Sequence, residues 1–407
     1  PGSHADLPAV LLDDRADQYI PELKNMRLLT ADAPPITIRH LLTHAAGFPE
    51  DNPWGDRQLD ITNDEFGQFL KGALSFSNAP GVAYEYSNLG FALLGYIIEK
   101  VAGKPYQQYI NENILTPLGM THTRWEYADV PAAQLAHGYR WQDEKWEEAP
   151  LLHDGVYGAM GGLISSIDDY AKYVAYHMDA WPPRNDAESG PLKRSSRREM
   201  HHAWNISGMN PRFTYPGGRP CSVVTAYGYG LSWMRDCEGR AYVGHSGGLP
   251  GFGSNWRFLP EYGVGIVAFA NRTYAPTTPI NLQVLDTLIG QATLIPRQLP
   301  ASAILKQRQQ DLTQLLPYWQ NAETSGLFAD NFFDDYSLET LKKESTALFE
   351  KAGKLVKIHE IIPENQLRGH YRLEGEKADL MVYFTLTPEA QPLIQQFRIW
   401  EVKSTEN

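Results

Sequence analysis

Three groups of residues in this chain are of types that can do chemistry. The first is Tyr86-Ser87-Asn88, a phenol, a hydroxyl and an amide directly before the apolar run Leu89 to Ala102. A single capping Ser would start that helix; a phenol and an amide could move a proton and hold a substrate. The second is His245-Ser246-Gly247-Gly248 in "GHSGG", which has the letter pattern of a nucleophile elbow. That device needs a strand before the Ser, a helix straight after it, and then an acid and a His downstream. The strand is there in "RAYVGH", but "LPGFGSNW" carries a Pro and two Gly and cannot begin a helix. The only later histidines are His359 and His370, in what reads as a separate unit. An α/β-hydrolase is therefore disfavoured. The third group is His40 and His44 in "IRHLLTH", four apart and so expected on one helical face. The spacing suits zinc, yet Leu41 stands where a metalloprotease has Glu and no third ligand is evident. A structural role and no metal are expected.

The elements that would carry these residues change character along the chain. From "ITIRHLLTHAAG" to about residue 178 the periodicity is helical. Thr37 is suited to cap a short helix and Gly47 to end it; helices are predicted over 64–74, 89–102 and 105–115. "SSIDDYAKYVAYHM" opens with Ser165 and Asp168 at capping-box spacing. Residues 180–220, rich in Pro, Gly, Arg and Ser, read as a surface excursion. Then "AYGYGLSWMRD", "GRAYVGHS", "GFGSNWRFLP" and "YGVGIVAFANR" read as an antiparallel meander, and "TTPINLQVLDTLIGQATL" as a helix packed on it. After a helical connector near 302–320, "SLETLKKESTALFEKAG" reads as a capped amphipathic helix. Four segments with strand alternation follow at 354–361, 366–374, 378–386 and 393–402. The fold class is α+β throughout. The boundaries drawn are a first domain over 1–295, a connector over 296–324 and a small domain over 325–407, similar in outline to cystatin-like or NTF2-like folds, in which no catalytic constellation is found.

Composition narrows the function classes. The chain has 407 residues, 43% hydrophobic and 21% charged, an ordinary globular composition. A formal charge of −12 argues against nucleic acid as a partner. No apolar run approaches the roughly 18 residues of a membrane span. Two cysteines, Cys221 and Cys237, allow neither a disulfide scaffold nor a Cys-based zinc site. They flank a segment read as one strand, which would hold them apart.

Taken with "ITIRHLLTHAAGF", "GAMGGLISSIDDYAKYV" and "YGYGLSW", the first two groups give the chain a family likeness. It resembles the penicillin-binding-protein-like serine hydrolases, the superfamily of class C β-lactamases, D-Ala-D-Ala carboxypeptidases and related esterases. The resemblance runs over roughly residues 10–290, block by block in the family's order. It implies an antiparallel sheet with covering helices and a helical subdomain. It also implies an acyl-enzyme mechanism without a cofactor, in which Tyr86 is general base and then acid. Asn88 would bond the substrate amide, and His245-Ser246-Gly247 would match the third motif on the cleft strand. The N–H of Gly248 would serve as an oxyanion donor. Since a free phenol has a pKa near 10, such a Tyr needs a cation beside it. In the family that cation is the Lys of a Ser-x-x-Lys motif, whose Ser is the nucleophile.

That motif is missing, for no Lys of the 407 residues has a Ser three positions before it. The family places it upstream of the segment that reads here "LLDDRADQYIPE", at 11–22. The expectation is thus a nucleophile lying before Pro1, supplied by an N-terminal fragment or a partner chain. The expected substrate is a small molecule or peptide with an ester, amide or D-amino-acid peptide bond. The alternative is a catalytically inactive β-lactamase-like binding or scaffold protein. The resemblance favours export to the periplasm or medium.

Overall fold

The computed structural model describes residues 10–402 except 73 and 298, with the backbone alone at 25. Residues 1–9 and 403–407 of the two predicted domains lie outside the described residues. The chain divides into two compact units, at 297/298.

In the first unit the helices are α1 (Ile38–Leu42), α2 (Asn52–Gly55), α3 (Asn63–Lys71), α4 (Asn88–Ala102) and α5 (Tyr106–Ile110). A hairpin of β1 (Tyr139–Gln142) and β2 (Lys145–Glu148) follows, then α6 (Ile167–Met178) and α7 (Arg194–Met200). The strands β3 (Asn205–Asn210), β4 (Val223–Tyr227), β5 (Ser232–Asp236), β6 (Ala241–Leu249), β7 (Phe252–Leu259) and β8 (Val264–Ala270) form one antiparallel sheet in chain order. Helix α8 (Thr277–Gln291) ends the unit.

Side-chain alternation along the strands decides which helix covers which face. Tyr242 and Leu259 point to one side and pack with Leu282, Leu285 and Ile289 of α8. Val243 and Phe258, their neighbours in sequence, point to the other side and meet Val174 of α6. Helix α4 is the centre of a separate helical core, where Leu89, Ala92, Leu93, Tyr96 and Ile97 pack against Leu41, Phe48, Phe66 and Tyr157. The predicted α+β class, with a meander, covering helices and a helical subdomain, is the one observed.

Local details differ from the sequence reading in several places. Helix α1 stops at Leu42, so Gly47 does not end it; Gly47 sits at φ +86 in a later turn, where a Cβ would strike the Asn78 carbonyl. Helix α6 is capped by Ser166, whose Oγ accepts from the Asp169 N–H, while Ser165 is occupied by the Thr123 hydroxyl at 2.9 Å. The stretch 180–220 is no mere excursion, since it holds α7 and the sheet's outermost strand β3. Cys221 and Cys237 are joined in a disulfide. Two strands rather than one separate them, and the β4–β5 hairpin returns the chain so that their Cα atoms stand 5.3 Å apart.

The second unit contains α9 (Ala303–Leu315), α10 (Phe332–Asp335), α11 (Leu338–Ala352) and the strands β9 (Leu355–Ile358), β10 (Ile362–Asn365), β11 (Arg368–Gly375), β12 (Leu380–Leu386) and β13 (Ile394–Glu401). Its sheet has five strands where four were predicted, because β9 and β10 pair with opposite ends of β11. The segment read as a connector is part of this core: Leu305, Leu312 and Trp319 pack with Tyr371, Val382 and Phe384. Trp319 also donates from Nε1 to the Ser345 hydroxyl of α11 at 3.0 Å.

Candidate active site

His44 bonds the backbone of the Tyr86 loop on both sides of the phenol, while the Glu85 carboxylate ties the loop to Glu50, Ser77 and Asn78. Helix α1 begins with a reciprocal cap, in which the His40 N–H donates to Thr37 Oγ1 and the Thr37 N–H to His40 Nδ1. After Leu42 the chain leaves the helix and His44 takes the left-handed conformation at φ +53. His40 and His44 therefore share no helical face, and the zinc spacing has no counterpart in space. Among the described residues no cluster of His, Cys, Asp or Glu could hold a metal.

The two backbone groups flanking Tyr86 both bond to His44. The Glu85 N–H donates to the His44 carbonyl at 2.9 Å, and the Ser87 N–H donates to His44 Nδ1 at 3.1 Å. Because Nδ1 accepts, the neutral ring carries its proton on Nε2, and that buried N–H has no partner among the described residues. Ring centroids lie 4.2 Å apart for His44 and Tyr86, and 4.5 Å apart for His44 and Tyr227. Burial pushes the His44 pKa down to about 3, helped by the neighbouring His245.

A second anchor holds Asn88. The carboxylate of Asp51 accepts from the N–H groups of Asn88 and Leu89 at 2.6 and 3.0 Å and from the Tyr157 hydroxyl at 2.9 Å. It satisfies orphan donors of the first turn of α4 that the side chain of Ser87, the residue before it, leaves untouched. The Asn88 amide is buried and donates from Nδ2 to Asn52 Oδ1 at 2.9 Å.

Strand β6 brings the other group. Its pairing with β5 ends at Gly244, and residues 245–249 run on paired with β7 alone. One edge of the strand is thereby left free of a neighbouring strand at His245, Ser246, Gly247 and Gly248. The strand passes straight through Ser246 and turns into β7, so the nucleophile-elbow geometry is absent. Tyr86 and His245, 159 positions apart, meet with ring centroids at 6.1 Å. Both nitrogens of His245 are engaged within the protein. Nε2 faces the Tyr227 hydroxyl at 2.8 Å, and Nδ1 faces the Ser246 carbonyl at 2.6 Å.

Electrostatically the site is anionic around a neutral phenol. The Tyr86 pKa is raised well above that of a free phenol, first by burial and then by Tyr84, Asp51, Asp56 and Glu50. Asp51 and Asp56 are themselves shifted upward by burial. Left to these neighbours, Tyr86 keeps its proton.

The structure thus brings Tyr86 against His245 on the free edge of β6, with Ser246, Gly247 and Gly248 following on that edge and the Asn88 amide buried against Asn52. It adds three residues that sequence reasoning missed as parts of the site: His44, Asp51 and Tyr227. His44 had been read as structural within a helix. Asp51 carried no local signal, and Tyr227, in "AYGYG", read only as a strand aromatic.

A six-stranded antiparallel sheet with this edge strand, and a helical subdomain presenting Tyr-x-Asn toward it, is the penicillin-binding-protein-like architecture. The fold matches an octameric penicillin-binding protein homologue from Pyrococcus abyssi with a TM-score of 0.54 at 21% identity, over 97% of this chain and 80% of that one. It also matches EstCE1, described as a hydrolase with promiscuous acyltransferase activity, with a TM-score of 0.52 at 20% identity, over 69% of this chain and 78% of that one. The chain belongs to the beta-lactamase family, whose model matches residues 6–289. Among curated proteins it is 29% identical to unguisins hydrolase ungD' of Aspergillus campestris over 247 residues, 59% of this chain and 43% of that protein. It is 27% identical to the D-alanyl-D-alanine-carboxypeptidase/endopeptidase AmpH of Escherichia coli over 280 residues, 67% of each. The match spans less than half the length of the unguisins hydrolases, 43% of ungD' and 47% of ungD from Aspergillus violaceofuscus. No helix among the described residues is long and apolar enough to cross a membrane.

Proposed function

We propose that this chain carries the proton-transfer and substrate-lining part of a serine hydrolase that cleaves an ester, amide or D-amino-acid peptide bond through an acyl-enzyme. The observation that carries this reading is the meeting of Tyr86 with the free edge of β6 at His245. Tyr86 would take the nucleophile's proton and later return it to the leaving group. The amide of Asn88 would align the substrate, and the backbone at Ser246–Gly248 would bind the acyl group, with the Gly248 N–H as an oxyanion donor. The nucleophilic Ser and its Lys would come from outside these 407 residues, from an N-terminal fragment or a partner chain. That Lys is the cation the anionic surroundings of Tyr86 call for. His245 brings no fixed charge, so a carboxylate-bearing β-lactam gains less here than where a Lys stands in the third motif. The Cys221–Cys237 disulfide suits an oxidising compartment.

The test is turnover by the protein expressed from its complete reading frame, against a nitrophenyl ester and a D-alanyl peptide. Tyr86→Phe should lower kcat/KM by about 10²–10⁴-fold, the range of a general base, without unfolding the chain. Unchanged turnover in the variant would sink the assignment. A catalytically inactive binding or scaffold protein is the second reading, and it draws on the lack of any positive charge among the main influences on Tyr86. Absence of turnover on every acyl substrate, with retained binding, would decide for it.

A further inference from the structure

The catalytic reading uses His245 but leaves unexplained why its two nitrogens are both turned inward. A carbonyl oxygen can only accept, so the contact of Nδ1 with the Ser246 carbonyl at 2.6 Å requires the proton to be on Nδ1. Nε2 of the neutral ring is then an acceptor, and the Tyr227 hydroxyl at 2.8 Å is its donor. We infer that Tyr227 is a positioning residue for the third motif. With the Ser246 carbonyl fixing the Nδ1–H tautomer, the Tyr227 hydroxyl occupies the remaining lone pair on Nε2, holds the ring neutral, and thereby selects acyl substrates that present no carboxylate to the β6 edge.

The packing around the pair supports this assignment. Tyr227 ends β4, is buried, and lies edge-on to His245 with ring centroids 5.7 Å apart. It also lies against His44, with ring centroids 4.5 Å apart. The hydroxyl is therefore fixed from behind, and its direction toward Nε2 does not depend on a bound substrate. The titratable groups facing His245 are Tyr227 from β4, Tyr86 from the loop before α4, and His44 beyond Tyr86 and Tyr227. Among the described residues His245 makes no ion pair with a carboxylate. Burial disfavours its charged form, with the Ser246 carbonyl opposing that effect in part. A Lys in the same place would offer a carboxylate a permanent cation; a His with both nitrogens bonded offers neither a charge nor a free lone pair. Selectivity then rests on leaving a carboxylate unpaired and desolvated, a penalty that a neutral acyl group does not meet.

The selectivity part rests on the hydrolase reading; the tautomer part does not. The tautomer is read directly from the long-range proton–nitrogen correlations of the chain labelled with nitrogen-15 at its 12 histidines. His245 is assigned by its disappearance in His245→Gln. The wild-type ring should show a protonated Nδ1 and an unprotonated Nε2. Tyr227→Phe should leave Nδ1 protonated, move the Nε2 resonance downfield as it loses its hydrogen-bond donor, and raise the pH at which the ring titrates. A wild-type ring protonated on Nε2, or a Tyr227→Phe ring with both nitrogen shifts unmoved, would overturn the proposal. The wild-type measurement stands without any variant, so a poorly folded Tyr227→Phe does not spoil it. In the complete protein, Tyr227→Phe should also raise the kcat/KM ratio of a carboxylate-bearing over a neutral ester several-fold at mildly acidic pH. An unchanged ratio would refute the selectivity claim, whereas loss of all turnover in the wild type would refute the hydrolase reading and leave the tautomer result in force.

Discussion

Asp51 Oδ1 accepts the backbone N–H of Asn88 at 2.6 Å, so a loop residue 37 positions upstream supplies the cap of the helix that carries the Tyr-x-Asn motif. Its second oxygen serves the Leu89 N–H and the Tyr157 hydroxyl. Asp51→Ala strands these donors in a largely buried place. The cost should be about 1–3 kcal/mol of stability, the range for leaving a buried donor unpaired. A lowered urea midpoint with an unchanged m-value checks it.

Tyr86 should remain a phenol through the whole neutral range in this chain taken alone. Burial and the nearby Tyr84, Asp51, Asp56 and Glu50 all favour the protonated form. Ultraviolet difference titration of the wild type against Tyr86→Phe should show this one ring ionising above the ordinary value of 10.0. A phenolate appearing near neutrality would mean that a cation already stands beside it.

Acid should weaken the first unit through two buried histidines, His177 and His201. His177 Nδ1 and His201 Nε2 lie 2.8 Å apart, and the Trp181 indole donates to His201 Nδ1 at 2.9 Å. Burial lowers their pKa values to about 3 and about 2, with Arg197 adding to the first and His177 and Arg197 to the second. Both folded values lie below the ordinary 6.5, so the unfolded chain binds protons first as pH falls. Stability from this pair is intact above that value and declines from there toward pH 3. The slope should approach about 1.4 kcal/mol per pH unit for each ring. His201→Gln should flatten the dependence of the denaturation midpoint between about pH 6 and 4.

The chain as it stands should take no covalent adduct from fluorophosphonate or penicillin probes. Ser87 is buried and Ser246 lies mid-strand; neither has a Lys three residues on. Loss of the nucleophile alone costs on the order of 10⁶ in kcat in another serine hydrolase. Intact-mass spectrometry finding stoichiometric label on either Ser would refute the placement of the nucleophile outside these residues.

What was readable in the sequence was local chemistry with a distinct pattern. Tyr86-Ser87-Asn88 before an apolar helix and His245-Ser246-Gly247 on a strand carry their meaning in adjacent letters, and the meander announced itself by alternation between turn residues. His44 escaped because the pattern "IRHLLTH" gives no sign that the helix ends two residues before it; a left-handed turn at a His has no strong sequence mark. Asp51 escaped because a cap donated from another segment leaves the capped helix with an unremarkable start. The edge strand β3 was hidden by composition, as an outermost strand with one unpaired edge tolerates the polar and glycine residues that signal loops. The disulfide stays open and disfavoured in the sequence through a single wrong assumption, one strand in place of a hairpin.

Close to the β6 edge, the β1–β2 hairpin meets the β6–β7 turn through two glycines. A Cβ on Gly138 would lie 2.6 Å from Gly251 Cα, and one on Gly251 would lie 2.9 Å from Gly138 Cα. The remaining ties are also largely main-chain, with the Tyr139 N–H donating to the Asn271 carbonyl and the Thr273 N–H donating to the Tyr139 carbonyl. Trp141 and Trp146 stand exposed on the hairpin, paired across the strands, and Trp146 borders a hollow with Tyr139, Asn271 and Arg272. A side chain at either glycine would force the hairpin and the turn apart, so the seating of one on the other rests on two residues that have none.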